Sequence, residues 1–491
     1  MLGTVFLLWI GVFLLFFLWK TRRPKSFPPG PQPLPIFGNL LQLNLKNPMK
    51  DFEKLSERYG KVYSFYFGGR PAVVLHGLHA VKEALLTQGI EFGGRPQGFL
   101  VNEVIGNKGV ILVNYGSAWK EQRRFSLTCL RNFGLGKTSM EEKILEEASH
   151  LISHLEKCSG QSMDPKTLFH NAVSNIICAI LFGARYNYED ETFQSLIRMV
   201  CEITKILNGP WGMIYDTMPF VRRLPLPFQK ALKNMRDLEA STLAKVTEHK
   251  KTRVPGQPRD FTDCYLDEID KRGSDDSSFD DEFMVALLLD LFIAGTETSS
   301  TTLQAGLLYL MLHQDVQARC HQEIDSVLGG KQQISYDDRH RMPYTQAMIH
   351  ETQRYASIVP LSVFHATTKD TQLLGYSIPK DTIIIPNLSS VLHEEAQWKF
   401  PHEFNPSNFL NEEGELVKPD AFLPFSTGPR VCLGEGLARM ELFLFFVLLL
   451  RRFEFFWPKD SGEPDLEPHF GIVQGPKPYR LGLRLRGNQG G

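Results

Sequence analysis

The stretch Phe425-Ser426-Thr427-Gly428-Pro429-Arg430-Val431-Cys432-Leu433-Gly434 constrains this chain more than any other. Gly428 and Pro429 make a turn, and an apolar, helix-like run follows from Glu435 to Leu450. Cys432 therefore stands where a helix begins. There a thiol faces backbone N–H groups that lack a partner within the helix and the positive end of the helix dipole, which together stabilise a thiolate. Gly434 permits close approach of a flat ligand, Arg430 can pair with a carboxylate, and Phe425 can shield the sulfur from water. A cysteine beside a turn is more often a small buried hydrophobe, and that is the reading for the other cysteines, which lack these neighbours. The seven cysteines form no C-x-x-C pair and leave an odd count, as in a reduced, cytosol-facing protein rather than a disulfide scaffold.

The amino terminus is the sharpest change in composition. Leu2 to Trp19 is uncharged and rich in Leu, Phe and Val. As a helix it would be roughly 27 Å long, close to the thickness of a bilayer core. Lys20, Arg22, Arg23 and Lys25 follow it, which favours a cytoplasmic carboxyl side. A cleaved signal peptide would carry its charge first and end in small residues; this run ends in Phe16, Phe17, Leu18 and Trp19. Residues 1–20 are therefore expected to be a retained transmembrane anchor, 21–39 a basic, proline-rich and stiff extended spacer, and 40–491 a single large domain. Lys plus Arg number 54 and Asp plus Glu 55, so no basic bias points to nucleic acid.

Apolar periodicity predicts helices near 48–59, 78–87, 139–156, 165–182, 191–206, 226–252, 281–312, 314–328, 344–355 and 434–451. Ser278 and Asp281 have capping-box spacing before the longest of them. Strand-like runs are short: Val62 to Phe67, Ala72 to Leu75 and Thr382 to Pro386. There is no regular βα alternation, and no G-x-G-x-x-G follows a strand, which argues against a built-in dinucleotide domain. The expected architecture is mostly α with small β-sheets, one catalytic body behind a membrane helix.

The segment 425–434 resembles, without mismatch, the F-x-x-G-x-R-x-C-x-G haem-binding signature of the cytochrome P-450 family. Other segments fit the same family. Ala294-Gly295-Thr296-Glu297-Thr298 resembles its A-G-x-[DE]-T acid–alcohol pattern; Leu287, Leu291, Ala294 and Thr298 share one helix face, with Ala294 and Gly295 small enough to leave room there. Glu351 and Arg354 form its E-x-x-R pair, although an exposed pair at that spacing is common and weak. Pro401 to Phe409 resembles the segment completing that network, but Asn408 stands where a basic residue is usual, so the network is expected to close through a neutral hydrogen bond. Trp119 and Arg123 match W-x-x-x-R. His365 matches a further propionate contact, with Phe364 where Pro is usual, and Gly375 to Lys380 also fits, with Asp381 where Gly is usual. The likeness runs the length of the chain and is strongest to the microsomal vertebrate family-two type, with a weaker kinship to its polyunsaturated fatty-acid epoxygenases.

The resemblance implies a P-450 fold, haem b with Cys432 as axial thiolate ligand, and haem contacts from Trp119, Arg123, His365, Arg430, Phe425, Gly434 and Ala294. It implies proton delivery through Thr298 and Glu297, a substrate pocket including Ala294, Val359, Val363 and Ile472, and a structural role for Glu351 and Arg354. The reaction would be insertion of one oxygen atom into a lipophilic substrate, by hydroxylation or epoxidation of fatty acids, steroids or xenobiotics. With no flavin or nicotinamide motif in the chain, electrons would come from NADPH–cytochrome reductase, with cytochrome b5 as a second donor. Lys120, Arg123, Arg124 and Arg131 offer a basic docking face. The expected location is the endoplasmic reticulum membrane, single-pass, with the catalytic body cytoplasmic. Two rivals stay open at this stage: a haem-thiolate isomerase or dehydratase needing no reductase, against which Thr298 beside Glu297 argues, and a membrane-tethered haem sensor.

Overall fold

The helices that frame the site are α1 (Ser117–Asn132), α2 (Lys166–Leu181), α3 (Glu191–Asn208), α4 (Asp281–Leu312), α5 (Pro343–Ala356) and α6 (Glu435–Arg452). They are seen in a computed structural model that describes residues 3–5, 8, 9, 11, 12, 15, 16, 23–44, 46–132, 138–273, 278–331 and 333–487. The 32-residue α4 is the axis of the body. It is apolar on nearly every side, with Leu287, Leu288, Phe292, Leu303, Leu307 and Leu310 all buried. A helix of that kind belongs inside a large core or a membrane. Its length and composition would allow a membrane crossing, yet here it is wrapped by α2 and α6. Small residues set those approaches: a Cβ on Gly295 would stand 2.5 Å from Ile177 Cδ1, and one on Gly306 would overlap the Phe446 ring.

The start of α4 corrects one expectation. Asp280, not Ser278, is its cap: the Asp280 carboxylate accepts from Phe283 N at 2.7 Å, and Asp281 and Glu282 occupy the first turn, where negative charge suits the helix dipole. The expected helix over 78–87 is α-helical only for Leu78–Lys82 and widens to a π-turn over Glu83–Thr87. Helices Leu100–Ile105, Ser117–Asn132, Pro210–Thr217 and Phe261–Arg272 had no clear periodic run in the sequence.

Strands β1 (Val62–Phe67), β2 (Arg70–His76), β3 (His365–Ala366) and β4 (Ile383–Asn387) form one sheet in the order β1-β2-β4-β3. Antiparallel β1/β2 sets Val62 opposite Leu75, parallel β2/β4 sets Ala72 opposite Ile383, and β3 places His365 opposite Ile384. A second sheet joins Ser162–Met163, Leu481–Leu485 and Phe453–Phe456. The body begins earlier than residue 40. Phe27 is part of a buried cluster with Val62 and Val73, and Ser64 N donates to Pro29 O at 2.6 Å. The Pro29 carbonyl thus covers part of an edge of β1 that would otherwise face solvent, so the stiff spacer expected over 21–39 is packed against the body from Phe27 onward. In the expected anchor, the described residues are helical, with Val5, Leu8, Trp9, Val12 and Leu15 exposed; the rest of that stretch lies outside the described residues.

Candidate active site

The loop before α6 is closed by Cys432 N donating to Phe425 O at 3.0 Å and Val431 N to Gly428 O at 3.1 Å. Gly428 has φ +77°, and a Cβ there would collide with Leu85 O. The π-turn at 83–87 therefore serves as the seat of the Gly428-Pro429 turn, a use consistent with π-turns gathering at functional sites. Gly434 is different. Its φ is −87°, and an added Cβ would meet only Cys432 Sγ, at 3.9 Å. What it leaves is open room beside the sulfur.

Cys432 is exposed to open space although it lies deep among protein atoms. Ala294 is likewise exposed in the middle of an otherwise buried helix. Between α4 on one side and the 424–425 loop and α6 on the other lies a slot lined by Thr298, Val359, Leu392, Phe425, Ala438 and Leu442 among others. Val359 thus lines the slot. Val363 contributes its carbonyl to Arg95, at 3.0 Å. Ile472 is 43% exposed, its N–H bound to Asn208 Oδ1 at 2.6 Å, and is not among the lining residues.

The helix start favours the thiolate in the direction expected, but burial opposes it. Burial and, less strongly, the charge of Glu435 raise its pKa; the N–H groups of Gly434 and Glu435 and the charge of Arg123 lower it, and the net shift is upward. A thiolate here calls for a further positive charge at the sulfur, as a bound metal ion supplies.

Beside the thiol loop, and on the 110–113 segment that Arg430 bonds, sit guanidiniums whose hydrogen bonds go to carbonyls. Arg430 donates to the carbonyls of Gly93 (2.9 Å) and Val113 (2.5 Å) and lies 4.1 Å from the centre of the Trp119 ring. Arg123 donates to Val431 O at 2.6 Å, tying α1 to the thiol loop, and Trp119 Nε1 donates to Val110 O at 3.0 Å. Arg95 donates to the carbonyls of Ile111, Val363 and Phe364 at 2.8–3.0 Å. Among the described residues none of the three guanidiniums is paired with a carboxylate. Burial drives Arg95 down to about 9 and Arg430 to about 8, and lowers Arg123 as well. A guanidinium does not release its proton in a protein, so this cost is one that a bound anion relieves. His365 Nδ1 lies 2.8 Å from Phe92 O and so carries the proton; Nε2 can then donate to a carboxylate only as the imidazolium. A soft sulfur ligand in open space beside three uncompensated cations fits haem b, a flat group with a metal ion and two carboxylates.

Above the slot, Thr298 Oγ1 donates to Ala294 O at 2.8 Å. The Glu297 carboxylate points elsewhere, with Oε2 3.7 Å from His170 Nε2 on α2, and no hydrogen bond joins it to Thr298. The E-x-x-R pair is fully buried: Arg354 Nε and Nη2 each reach Glu351 at 2.7 Å. Asn408 Nδ2 bonds both Glu351 oxygens at 3.2 and 3.3 Å and Phe400 O at 3.0 Å, so a neutral amide closes the network. Asp381 has φ +61°, a conformation that Gly favours and Asp tolerates. On α1, Lys120, Arg124 and Arg131 are exposed whereas Arg123 turns inward.

Two residues escaped the sequence reading. Arg95 carried a faint signal, standing between Gly93-Gly94 and Pro96. Asp290 carried a plainer one, an acid amid Leu287-Leu288-Leu289 and Leu291-Phe292. Its Oδ2 accepts from Val110 N (2.7 Å) and Ile111 N (2.9 Å), which fastens to α4 the loop whose carbonyls hold Trp119 and Arg95. Burial pushes Asp290 up to about 7.

Comparison with known proteins bears on this arrangement. The cytochrome P450 family profile matches residues 28–483. Cytochrome P450 2C28 of Mesocricetus auratus is 43% identical over 97% of this chain and 98% of its own. Cytochrome P450 2C8 of Homo sapiens is 44% identical over 91% of this chain and 92% of its own, and cytochrome P450 2J2 of Homo sapiens 42% over 98% and 95%.

Proposed function

Since the chain belongs to the cytochrome P450 family, and so is a haem b-dependent monooxygenase that draws electrons from a reductase and acts on lipophilic substrates, we propose that Cys432 is its axial thiolate ligand. Arg430, Arg123 and Arg95 would hold the propionates, joined by Trp119 once its N–H turns from the Val110 carbonyl and by His365 as the imidazolium. The bound haem supplies the reductive activation of dioxygen, and the chain's residues supply the rest. Phe425 keeps water from the sulfur. Gly434 and Ala294 leave the space in which a flat group and a small ligand fit. Thr298 holds a proton at Oγ1, which turns from the Ala294 carbonyl toward the slot, and Glu297 relays protons to it through water. Val359 and Ala294, with Val363 and Ile472 farther out, give the substrate side its apolar character. Glu351 and Arg354 brace the floor from α5.

The observation that carries this division of labour is the meeting of an uncovered thiol with three guanidiniums that have no carboxylate. The reduced carbon-monoxide complex of the loaded protein is expected to show the strongly red-shifted thiolate Soret band, and Cys432→His to abolish it; a band that survives the substitution refutes the ligand. The protein associates with the endoplasmic reticulum membrane. The finer reading is a single span in residues 1–20 with the body on the cytoplasmic side, supported by the basic residues that follow the apolar run. Lys120, Arg124 and Arg131 would dock the reductase, and cytochrome b5 as a second donor. Fatty-acid epoxidation is the favoured chemistry within the lipophilic class. A lipid-library turnover assay with reductase and NADPH tests it, and oxidation of drug-like probes with no fatty acid turned over would sink it.

A further inference from the structure

We propose that His170, Cys201 and Glu297 form a binding site for a divalent transition ion of the Zn2+ class, bridging α2, α3 and α4 outside the haem slot. Their ligating atoms lie within 4.8 Å of one another. His170 is 1% exposed, and its Nδ1 lies 2.8 Å from Lys166 O one helical turn back. A carbonyl only accepts, so Nδ1 bears the proton and Nε2 presents a bare lone pair. That lone pair faces Glu297 Oε2 at 3.7 Å, and among the described residues neither atom has a hydrogen-bond partner. Two acceptors aimed at each other call for a cation between them. A proton would do, making an imidazolium–carboxylate pair. The half-buried Cys201 thiol beside them favours a metal instead, because a nitrogen–sulfur–oxygen donor set suits Zn2+ and not Mg2+ or Ca2+. The Lys166 carbonyl is then the outer partner that orients a ligating histidine. Zn–N and Zn–O bonds of about 2.0 Å and a Zn–S bond of about 2.3 Å place tetrahedral ligand atoms roughly 3.3–3.6 Å apart, so the His170 and Glu297 atoms close by about 0.4 Å and the approach to sulfur by no more than about 1.3 Å, and water takes the fourth position. The thiol gives up its proton to solvent on binding.

The second histidine–carboxylate cluster, His249 with Asp260 and Asp263, shows the contrast. His249 Nε2 is 2.8 Å from Asp260, Nδ1 is bound to Lys245 O, and Asp263 is paired with Arg259. No bare donor is left there.

Occupancy would withdraw Glu297 from proton relay, a consequence that rests on the role given to Glu297 above; binding itself does not. The test is Zn2+ titration of the haem-loaded full chain by equilibrium dialysis with metal analysis. One Zn2+ per chain is expected beyond that taken up by Cys201→Ser, whose affinity falls about tenfold or more while its zinc-free turnover is unchanged. His170→Asn gives the same loss of binding. Peptide mapping adds a reading on the unaltered protein: Zn2+ protects Cys201 from alkylation. Equal zinc uptake by wild type and Cys201→Ser, without protection, overturns the site and leaves an ion pair only. Zinc bound and Cys201 protected, with NADPH coupling unaffected, supports the site and refutes the relay role of Glu297.

Discussion

Replacing Asn408 by alanine separates two ways of holding a buried carboxylate. In the native chain Glu351 receives two bonds from Arg354, one from Asn405 N at 2.8 Å and two longer ones from the Asn408 amide. Asn408→Ala removes only the last two, along with the exchange between Asn408 and Phe400 (2.9 and 3.0 Å). The charge stays paired, so the loss is that of neutral donors to a charged group, about 2–3 kcal/mol. Arg354→Lys is a harsher change that keeps the charge. The guanidinium also serves Leu392 O, Pro401 O, Phe400 O and Glu403 O at 2.7–3.2 Å. An ammonium has three N–H groups and cannot reach all of these acceptors, so several buried oxygens go unpaired, costing about 3–5 kcal/mol. Urea titration of the haem-loaded protein, followed by loss of the thiolate band, should shift its midpoint by about 0.7–1 M for Asn408→Ala, taking a slope of about 3 kcal/mol per molar. Arg354→Lys should shift it further or prevent haem retention. If Asn408→Ala costs as much as Arg354→Lys, the amide is carrying charge compensation that the geometry assigns to arginine, and the reasoning fails.

Arg95→Met keeps the volume of the side chain and removes its charge; haem release should quicken about tenfold to a hundredfold, the worth of one charge-assisted contact, and an unchanged release rate would remove Arg95 from the haem's anionic edge. Thr298→Ala should lower product formed per NADPH severalfold and raise peroxide, while Thr298→Ser, which keeps the hydroxyl, should stay coupled; product, peroxide and NADPH measured together decide it. Asp290 gives a signed pH dependence: burial raises its pKa from the ordinary 3.8 to about 7, so the folded chain keeps a proton that the unfolded chain has lost, and this group costs stability increasingly as pH rises from about 4 to about 7 and no more above that. Asn still accepts from Val110 and Ile111 but does not titrate, so the stability of Asp290→Asn relative to wild type should climb by roughly 2–4 kcal/mol across that window; a difference that falls with pH contradicts the assignment.

Much of the site was legible because its chemistry is local in the chain. Cys432, Arg430 and Phe425 lie in one loop, and Ala294 and Thr298 on one helix turn, so spacing alone brings them together. What escaped depends on contacts between distant segments. Arg95 becomes a cation of the site only because the chain from Ile111 and the strand entry at Val363-Phe364 give it carbonyls. Asp290 looks like an error in an apolar helix until Val110 and Ile111 are seen to bond it. Adjacent residues need not meet directly: Glu297 and Thr298 are consecutive, which on a helix turns their side chains apart by about a third of a turn or slightly less, and the Glu297 carboxylate lies toward His170, so a relay between them has to pass through water. The α1 helix went without a clear periodic signal because its first turns, Trp119 to Arg124, are almost entirely polar. Ile472 matches the family by position alone; it is 43% exposed and does not line the slot.

Buried charge divides this protein into scaffold and site. Glu351, Arg354 and Asn408 form a set in which each charge and nearly each donor is met by the chain itself, and such a set can be sealed from water at modest cost. Arg95 and Arg430 are buried to a comparable depth and Arg123 is half-buried, but among the described residues their guanidiniums bond only to carbonyl oxygens, which answer their N–H groups and leave their charge uncompensated. The Cys432 thiol, pushed up by burial in spite of helix N–H groups and Arg123, carries the complementary deficit. A sequence that folds around such groups stores a cost that one bound species can relieve at both ends, a metal cation at the sulfur and two carboxylates at the guanidiniums. The same criterion, a buried polar atom that the chain does not satisfy, picks out His170 Nε2 facing Glu297 and passes over His249 facing Asp260. Zinc uptake at the first pair and none at the second would show that unsatisfied burial, rather than residue type, is what marks a binding site in this fold.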